Sequence, residues 1–253
     1  MKQDRARPDM VLIVLLVLAV ALVLAVVLLL ILRPMRPDVE TGPVQKLDLQ
    51  GKVWVSYGDS ITDGGFWQAA VAEKFGLDHR DQGIGGTTLA GFGPLAFWQE
   101  ERLTEIIAAQ PALITIMGGT NDFFSDFYIG SPEQLDLPLE EKTMDNFLGA
   151  YAYIVERLQA ALPQTVIVLM TTPLNTTYFS DQPLNGRENS IMDFAEATAQ
   201  VAAHYALPLV DMRDLYQTAA EFEPDFWDGI HPNLEGSAKI SQALIDCLID
   251  IAK

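Results

Sequence analysis

From Lys52 onward, short apolar runs alternate with stretches of helical periodicity, and few folds accommodate that order. The runs are Val53–Tyr57, Leu113–Met117, Thr165–Met170 and Leu207–Val210, with a weaker strand near Asp78–Gln82. Each is partly β-branched and bounded by Gly, Pro or polar residues, as buried strands are. Between them, Phe66–Phe75 reads as a helix. Phe147, Leu148, Tyr151, Ile154, Val155, Leu158 and Leu162 share one helical face, as do Ile191, Phe194, Ala195, Thr198, Val201, Ala202 and Tyr205. Ser190-Ile191-Met192-Asp193 has the form of a capping box, and Ile240 to Ile251 is again amphipathic. Alternating βα units predict an α/β fold, a mostly parallel five-stranded sheet between two helical layers. In such sheets the site lies beyond the carboxyl ends of the strands.

The N-terminus obeys a different constraint. Val11 to Leu32 is an uninterrupted apolar run of 22 residues without charge, Gly or Pro. As a helix it would extend roughly 33 Å, enough to cross a hydrocarbon core of about 30 Å. It exceeds a signal-peptide core of about 7–15 residues and closes on Arg33-Pro34-Met35-Arg36-Pro37 without a small-residue cleavage site. The expectation is therefore a short tail (1–10), a single-pass transmembrane signal anchor (11–32), a Pro-containing linker (33–51) and one domain (52–253). Lys2, Arg5 and Arg7 before the run, against Arg33 and Arg36 after it, favour a cytosolic N-terminus and an extracytoplasmic domain in the cell membrane.

Charge excludes one class of partner. The chain carries −18; residues 1–36 hold five basic and two acidic side chains, so residues 37–253 carry −18 − 3 = −21. A domain this acidic does not bind nucleic acid through phosphates. The single Cys247 rules out an intrachain disulfide and falls in an apolar helical stripe.

The chemistry-bearing residues gather after the strands. Gly58-Asp59-Ser60-Ile61-Thr62 follows the first, where a serine hydroxyl sits beside the N–H groups of a helix start. Taken alone, the serine reads first as a helix cap on a tight Gly turn. Gln82-Gly83-Ile84-Gly85-Gly86-Thr87-Thr88 lacks the Lys-Ser/Thr of a P-loop, and suits a backbone N–H brought close to a small substrate. Gly118-Gly119-Thr120-Asn121-Asp122 offers an amide that could face developing negative charge. Of three histidines, His204 reads as a surface helical residue and His79 as solvated among charges. His231 follows Asp228 at a spacing that lets the carboxylate orient the imidazole. No metal-ligand motif is present, so no metal and no cofactor are expected. Two long connections, Phe123 to Thr143 and Thr171 to Asn189, bring Phe123, Phe124 and Tyr178 forward as candidate pocket residues, or as aromatics that pin the loops.

Gly-Asp-Ser, the glycine-rich second block, Gly-x-Asn-Asp and Asp-x-x-His, in this order over about 200 residues, resemble the SGNH (GDSL-type) hydrolase family. The resemblance implies a flavodoxin-like three-layer α/β/α fold and a serine esterase with Ser60 as nucleophile, His231 as general base and acid, and Asp228 as orienting carboxylate. It also implies an oxyanion hole from the N–H groups of Ser60 and Gly86 and the side chain of Asn121. The second block departs from the family pattern, with Asp81 where Asn is usual and Thr87 where Asp is frequent. The expected substrate is a small ester or an acylated carbohydrate or lipid, with O-deacylation of cell-envelope carbohydrate or glycolipid first. A lysophospholipase or short-chain lipid esterase, an acyltransferase, and a catalytically silent ligand-binding module are the alternatives.

Overall fold

Strand alternation decides which side chains of the sheet meet which helices. The computed structural model describes residues 48–181 and 183–252, so the anticipated tail and anchor, with most of the linker, lie outside the described residues. Five strands form one sheet: β1 (Val53–Gly58), β2 (Asp78–Gly83), β3 (Leu113–Met117), β4 (Val166–Met170) and β5 (Leu209–Val210). Their order is β2-β1-β3-β4-β5, and every pairing is parallel. The first crossover runs to one side of β1 and the next returns to the other. The sheet therefore has a switch point between β1 and β3, where such folds open a crevice at the strand ends.

Trp54 on β1, Leu113 and Met117 on β3, and Val168 and Met170 on β4 point to one face, packed under α2 (Trp67–Phe75) and α8 (Leu234–Ile251) with Trp67, Val71, Ile240, Leu244 and Leu248. The residues between them, Val55, Tyr57, Ile114, Ile116, Ile167 and Leu169, face the opposite layer. That layer contains α3 (Glu100–Ala108), α5 (Phe147–Ala161) and α6 (Ile191–His204). The period of two thus gives each face its own core. Single-turn helices α1 (Ser60–Asp63), α4 (Thr120–Phe124) and α7 (Ala219–Phe222) sit in the connections.

Several local readings are refined. The Ser190 capping box forms, with Ser190 Oγ accepting from the Asp193 N–H and Asp193 accepting from the Ser190 N–H. α3 was not marked by the sequence pattern, and its Arg102 is buried rather than solvent-facing. The described end of the anticipated linker packs on the domain. Leu49 is 4% exposed in the α2/α8 core, and the Gly51 N–H donates to the Gly76 carbonyl at 2.7 Å. β2 carries Asp78, His79, Arg80 and Asp81, which a sheet edge tolerates because among the described residues β1 is the only strand it pairs with. Among the described residues no helix is long and apolar enough to cross a membrane.

Candidate active site

The turn after β1 is built around Asp59, not Ser60. Asp59 caps α1, with its Oδ1 accepting from the Ile61 N–H at 2.9 Å and its carbonyl accepting from Thr62 and Asp63. Ser60 is thereby the first helical residue, free to direct its side chain outward. Gly58 allows the tight turn: a Cβ there would strike the Thr62 side chain and stand 2.9 Å from the Met117 carbonyl.

Ser60, Asp228 and His231 come together across 171 residues. Ser60 Oγ lies 2.8 Å from His231 Nε2, and His231 Nδ1 lies 2.7 Å from Asp228 Oδ2. A carboxylate can only accept, so Nδ1 carries the ring proton and Nε2 is left to accept from the serine hydroxyl. The other carboxylate oxygen of Asp228 accepts from the N–H groups of Ile230 and His231 at 3.0 and 2.8 Å, so one side chain shapes the turn and aims the ring. Burial pushes the Asp228 carboxyl upward, but the His231 and Ile230 N–H groups and the imidazole outweigh it and hold it below the usual range. Gly229 supplies the left-handed residue of this turn at φ +82°, and its carbonyl accepts from the Thr176 N–H at 3.0 Å. The turn is thus tied to the loop after β4.

Some backbone donors near the serine are already taken and others are left open. The N–H groups of Ile61, Thr62 and Asp63 are all taken by Asp59. Among the described residues neither the Ser60 N–H nor the Gly86 N–H donates to a protein group. A Cβ built on Gly85 would lie 3.7 Å from the Ser60 Cβ, so the glycine pair after β2 runs directly past the serine. Asn121 is the second residue of α4, just past the end of β3, and one hydrogen of its Nδ2 goes to the Thr87 carbonyl at 2.9 Å. The second hydrogen of the same nitrogen is left for a ligand.

Sequence reasoning missed the residue that joins these blocks. Asp122 is fully buried, and its two oxygens accept from the Leu89 and Ala90 N–H groups at 3.0 and 2.8 Å. With the bond from Asn121 to Thr87, adjacent side chains of α4 clamp the loop that carries Gly86. Burial pushes Asp122 up to about 7 against the two N–H groups, and Asp59 up to about 6 for the same reason. Arg102 fastens the other end of this loop, donating to the carbonyls of Gln82 and Leu95 at 2.9 and 2.8 Å while its guanidinium lies over Tyr57.

The remaining expectations separate. Phe123 is 2% exposed and packs edge-on against Phe194, so it belongs to the core and does not line a pocket. Phe124, 47% exposed, remains accessible. Tyr178 is half-buried against Phe179 and takes the role of pinning its loop. His79 is not solvated: its ring packs on Trp54 and its Nε2 lies 2.8 Å from Ser56 Oγ, so burial lowers its pKa despite Asp81 and Asp78. His204 ends α6, 3.9 Å from Asp136. Cys247 is half-buried, and burial with the nearby Asp250 charge pushes its thiol up to about 11. Trp227, beside Asp228, is 70% exposed and was not singled out by any sequence pattern. Among the described residues no cluster of three or more potential ligands could hold a metal.

The family model for the GDSL-like Lipase/Acylhydrolase family matches residues 56–239, from the end of β1 into α8. The chain belongs to this family. It is a serine carboxylic ester hydrolase of the GDSL type. Its curated relatives include a human protein named isoamyl acetate-hydrolyzing esterase 1 homolog, 26% identical over 72% of this chain and 75% of that one. Another is an acetylxylan esterase of Xylanibacter ruminicola, 27% identical over 74% of this chain, which spans only 41% of the relative. A GDSL-like lipase of solved structure from Bacteroides thetaiotaomicron superimposes with a TM-score of 0.57 at 19% identity, over 79% of this chain and 88% of that one. The last of these speaks to the fold alone.

Proposed function

We propose that this GDSL hydrolase removes short acyl groups, acetyl above all, from cell-envelope carbohydrate or glycolipid. Ser60 is the nucleophile. As its oxygen attacks the ester carbonyl, the Ser60 proton passes to His231 Nε2, and Asp228 stabilises the resulting imidazolium through Nδ1–H. The tetrahedral oxyanion is held by the N–H groups of Ser60 and Gly86 and the second Nδ2 hydrogen of Asn121. Collapse returns the proton from His231 to the leaving alkoxide, freeing the alcohol and leaving an acyl-serine. Water, deprotonated by the same nitrogen, then attacks the acyl-serine and releases the carboxylic acid.

The continuous line from Ser60 Oγ through the imidazole to the Asp228 carboxylate carries this reading. The acyl preference draws on the two curated relatives, both named for acetyl esters of otherwise different alcohols. The cellular setting draws on the sequence of residues 11–32, an anchor that would hold the domain at the outer face of the cell membrane. A panel of 4-nitrophenyl esters from acetate to decanoate, with acetylated xylo-oligosaccharide beside lysophosphatidylcholine, tests the assignment. Highest kcat/KM on acetate, with acetate released from the oligosaccharide, is expected. Preference for long chains or for the lysolipid would instead make the protein a lipid esterase.

A further inference from the structure

The two long connections meet in a recess that the triad does not use. Asn185 Nδ2 donates to the Phe123 carbonyl at 3.1 Å, the Gly186 N–H to Asp126 at 2.6 Å, and Arg187 Nε to the Asp126 carbonyl at 3.1 Å. Asp126 and Glu188 both hold left-handed backbone, at φ 56° and 62°, a conformation non-glycine residues adopt at a cost. Between these loops and the start of α5 lies a recess of about 470 Å³, lined by Tyr128, Gly130, Asp145, Asn146, Arg187 and Asn189.

Its chemistry selects an uncharged polar ligand. The recess has one cation, Arg187, and one anion, Asp145, so it carries no net charge for an ionic group to match. Nor does the nearby helix start attract anions. The N–H groups of Phe147 and Leu148 donate to the Tyr128 and Ile129 carbonyls at 2.9 Å, and the Gly149 N–H to Asn146 Oδ1 at 2.8 Å. The donors that would bind an anion there are consumed. What remains is a half-exposed aromatic ring, Tyr128, braced by Arg187 at 4.2 Å from its centre and through its hydroxyl at 2.8 Å. Around it stand a carboxylate and two side-chain amides. A fixed aromatic face flanked by donors and acceptors of both kinds suits a pyranose ring, whose C–H face is apolar and whose edge is hydroxylated.

The recess also communicates with the serine site through one short loop. Asp122 holds Leu89 and Ala90, and the next residue, Gly91, donates its N–H to the Met144 carbonyl at 2.6 Å, directly before Asp145. We infer that this recess is a subsite for a neutral sugar residue of the acylated carbohydrate, separate from the residue bearing the scissile ester. The inference rests on the carbohydrate reading of the function above.

The full-length protein, compared as wild type, Tyr128→Ala, Arg187→Ala and Asp145→Asn, tests it on acetylated xylotriose and on 4-nitrophenyl acetate. The expected result is a KM for the trisaccharide raised about tenfold in the variants, with 4-nitrophenyl acetate turnover within twofold of wild type. The second substrate reports an intact fold and triad. If Tyr128→Ala loses both activities, Asp145→Asn, an isosteric change at an exposed position, decides. Wild type active on the trisaccharide with unchanged KM in Asp145→Asn and in the variants that retain 4-nitrophenyl acetate turnover overturns the subsite alone. Wild type that cleaves 4-nitrophenyl acetate but not the trisaccharide overturns the carbohydrate reading, and this inference with it.

Discussion

Replacing Asn121 with Ala separates the loop-holding hydrogen bond its side chain makes from the oxyanion contact proposed for it. In the resting structure its Nδ2 makes a single hydrogen bond, to the Thr87 carbonyl at 2.9 Å, at a half-buried position. Losing that bond costs about 1 kcal/mol, partly offset by the better helix propensity of Ala, which gains roughly 0.5 kcal/mol. The Thr87 loop stays fastened by Asp122 at Leu89 and Ala90. The melting temperature should therefore fall by no more than about 4 °C for a domain of this size. Catalysis loses more. A donor aimed at an oxyanion is worth about 3–4 kcal/mol in the transition state and little in the ground state, so kcat falls about 10²–10³-fold with KM nearly unchanged. Steady-state kinetics on 4-nitrophenyl acetate beside a thermal melt reads both numbers. A folded Asn121→Ala enzyme within a few-fold of wild type in kcat would remove Asn121 from the oxyanion site. A melting temperature lowered by 10 °C or more would instead make its main role structural.

Three further outcomes follow from the site. Asp228→Asn should reduce kcat by about 10²–10⁴, because an amide can present its NH₂ to Nδ1 and favour the wrong tautomer; unchanged kcat at pH 8 would contradict this. Asp122 is pushed up to about 7, above the usual carboxylate value of about 3.9, so between those values the native state keeps a proton that the unfolded chain releases. Its contribution to stability therefore falls as pH rises from about 4 to about 7. Relative to Asp122→Asn, wild type should lose melting temperature between pH 5 and pH 8, and a difference that is constant with pH would refute the assignment. Gly83→Ala places a Cβ 2.7 Å from the Asp63 Cα, at the junction of β2 with α1. It should destabilise by about 1–3 kcal/mol and displace the Gly85-Gly86 loop, reducing turnover as well, with urea unfolding as the measure.

The sheet was legible because its signal is local: β1, β3 and β4 are short, largely apolar runs, and their order with the helices dictates parallel pairing. Three of the four motif blocks were legible for a related reason, since each follows a strand, while Asp228 to His231 lies further on, just before α8. What escaped was long-range or too short for periodicity. α1 is a single turn, and its cap Asp59 precedes the serine that drew attention. Asp122 acts on N–H groups 32 and 33 residues away, a pairing that no spacing rule encodes. Phe123 and Phe124 are indistinguishable in sequence. One turn of α4 sends the first into the core against Phe194 and leaves the second exposed. His79 looked solvated because its neighbours are charged, yet as an alternate residue on β2 it turns inward toward Trp54 and Ser56.

The central claim is that Ser60 is an activated nucleophile, its hydroxyl paired with an imidazole that Asp228 holds in the accepting tautomer. A fluorophosphonate probe tests it directly, because the reagent labels only a serine whose proton is being withdrawn. The account predicts stoichiometric labelling of the wild-type protein, loss of labelling in folded Ser60→Ala, and the adduct mapped by mass spectrometry to the peptide containing Ser60. A folded wild-type protein that resists the probe, or one labelled equally in Ser60→Ala, would contradict it.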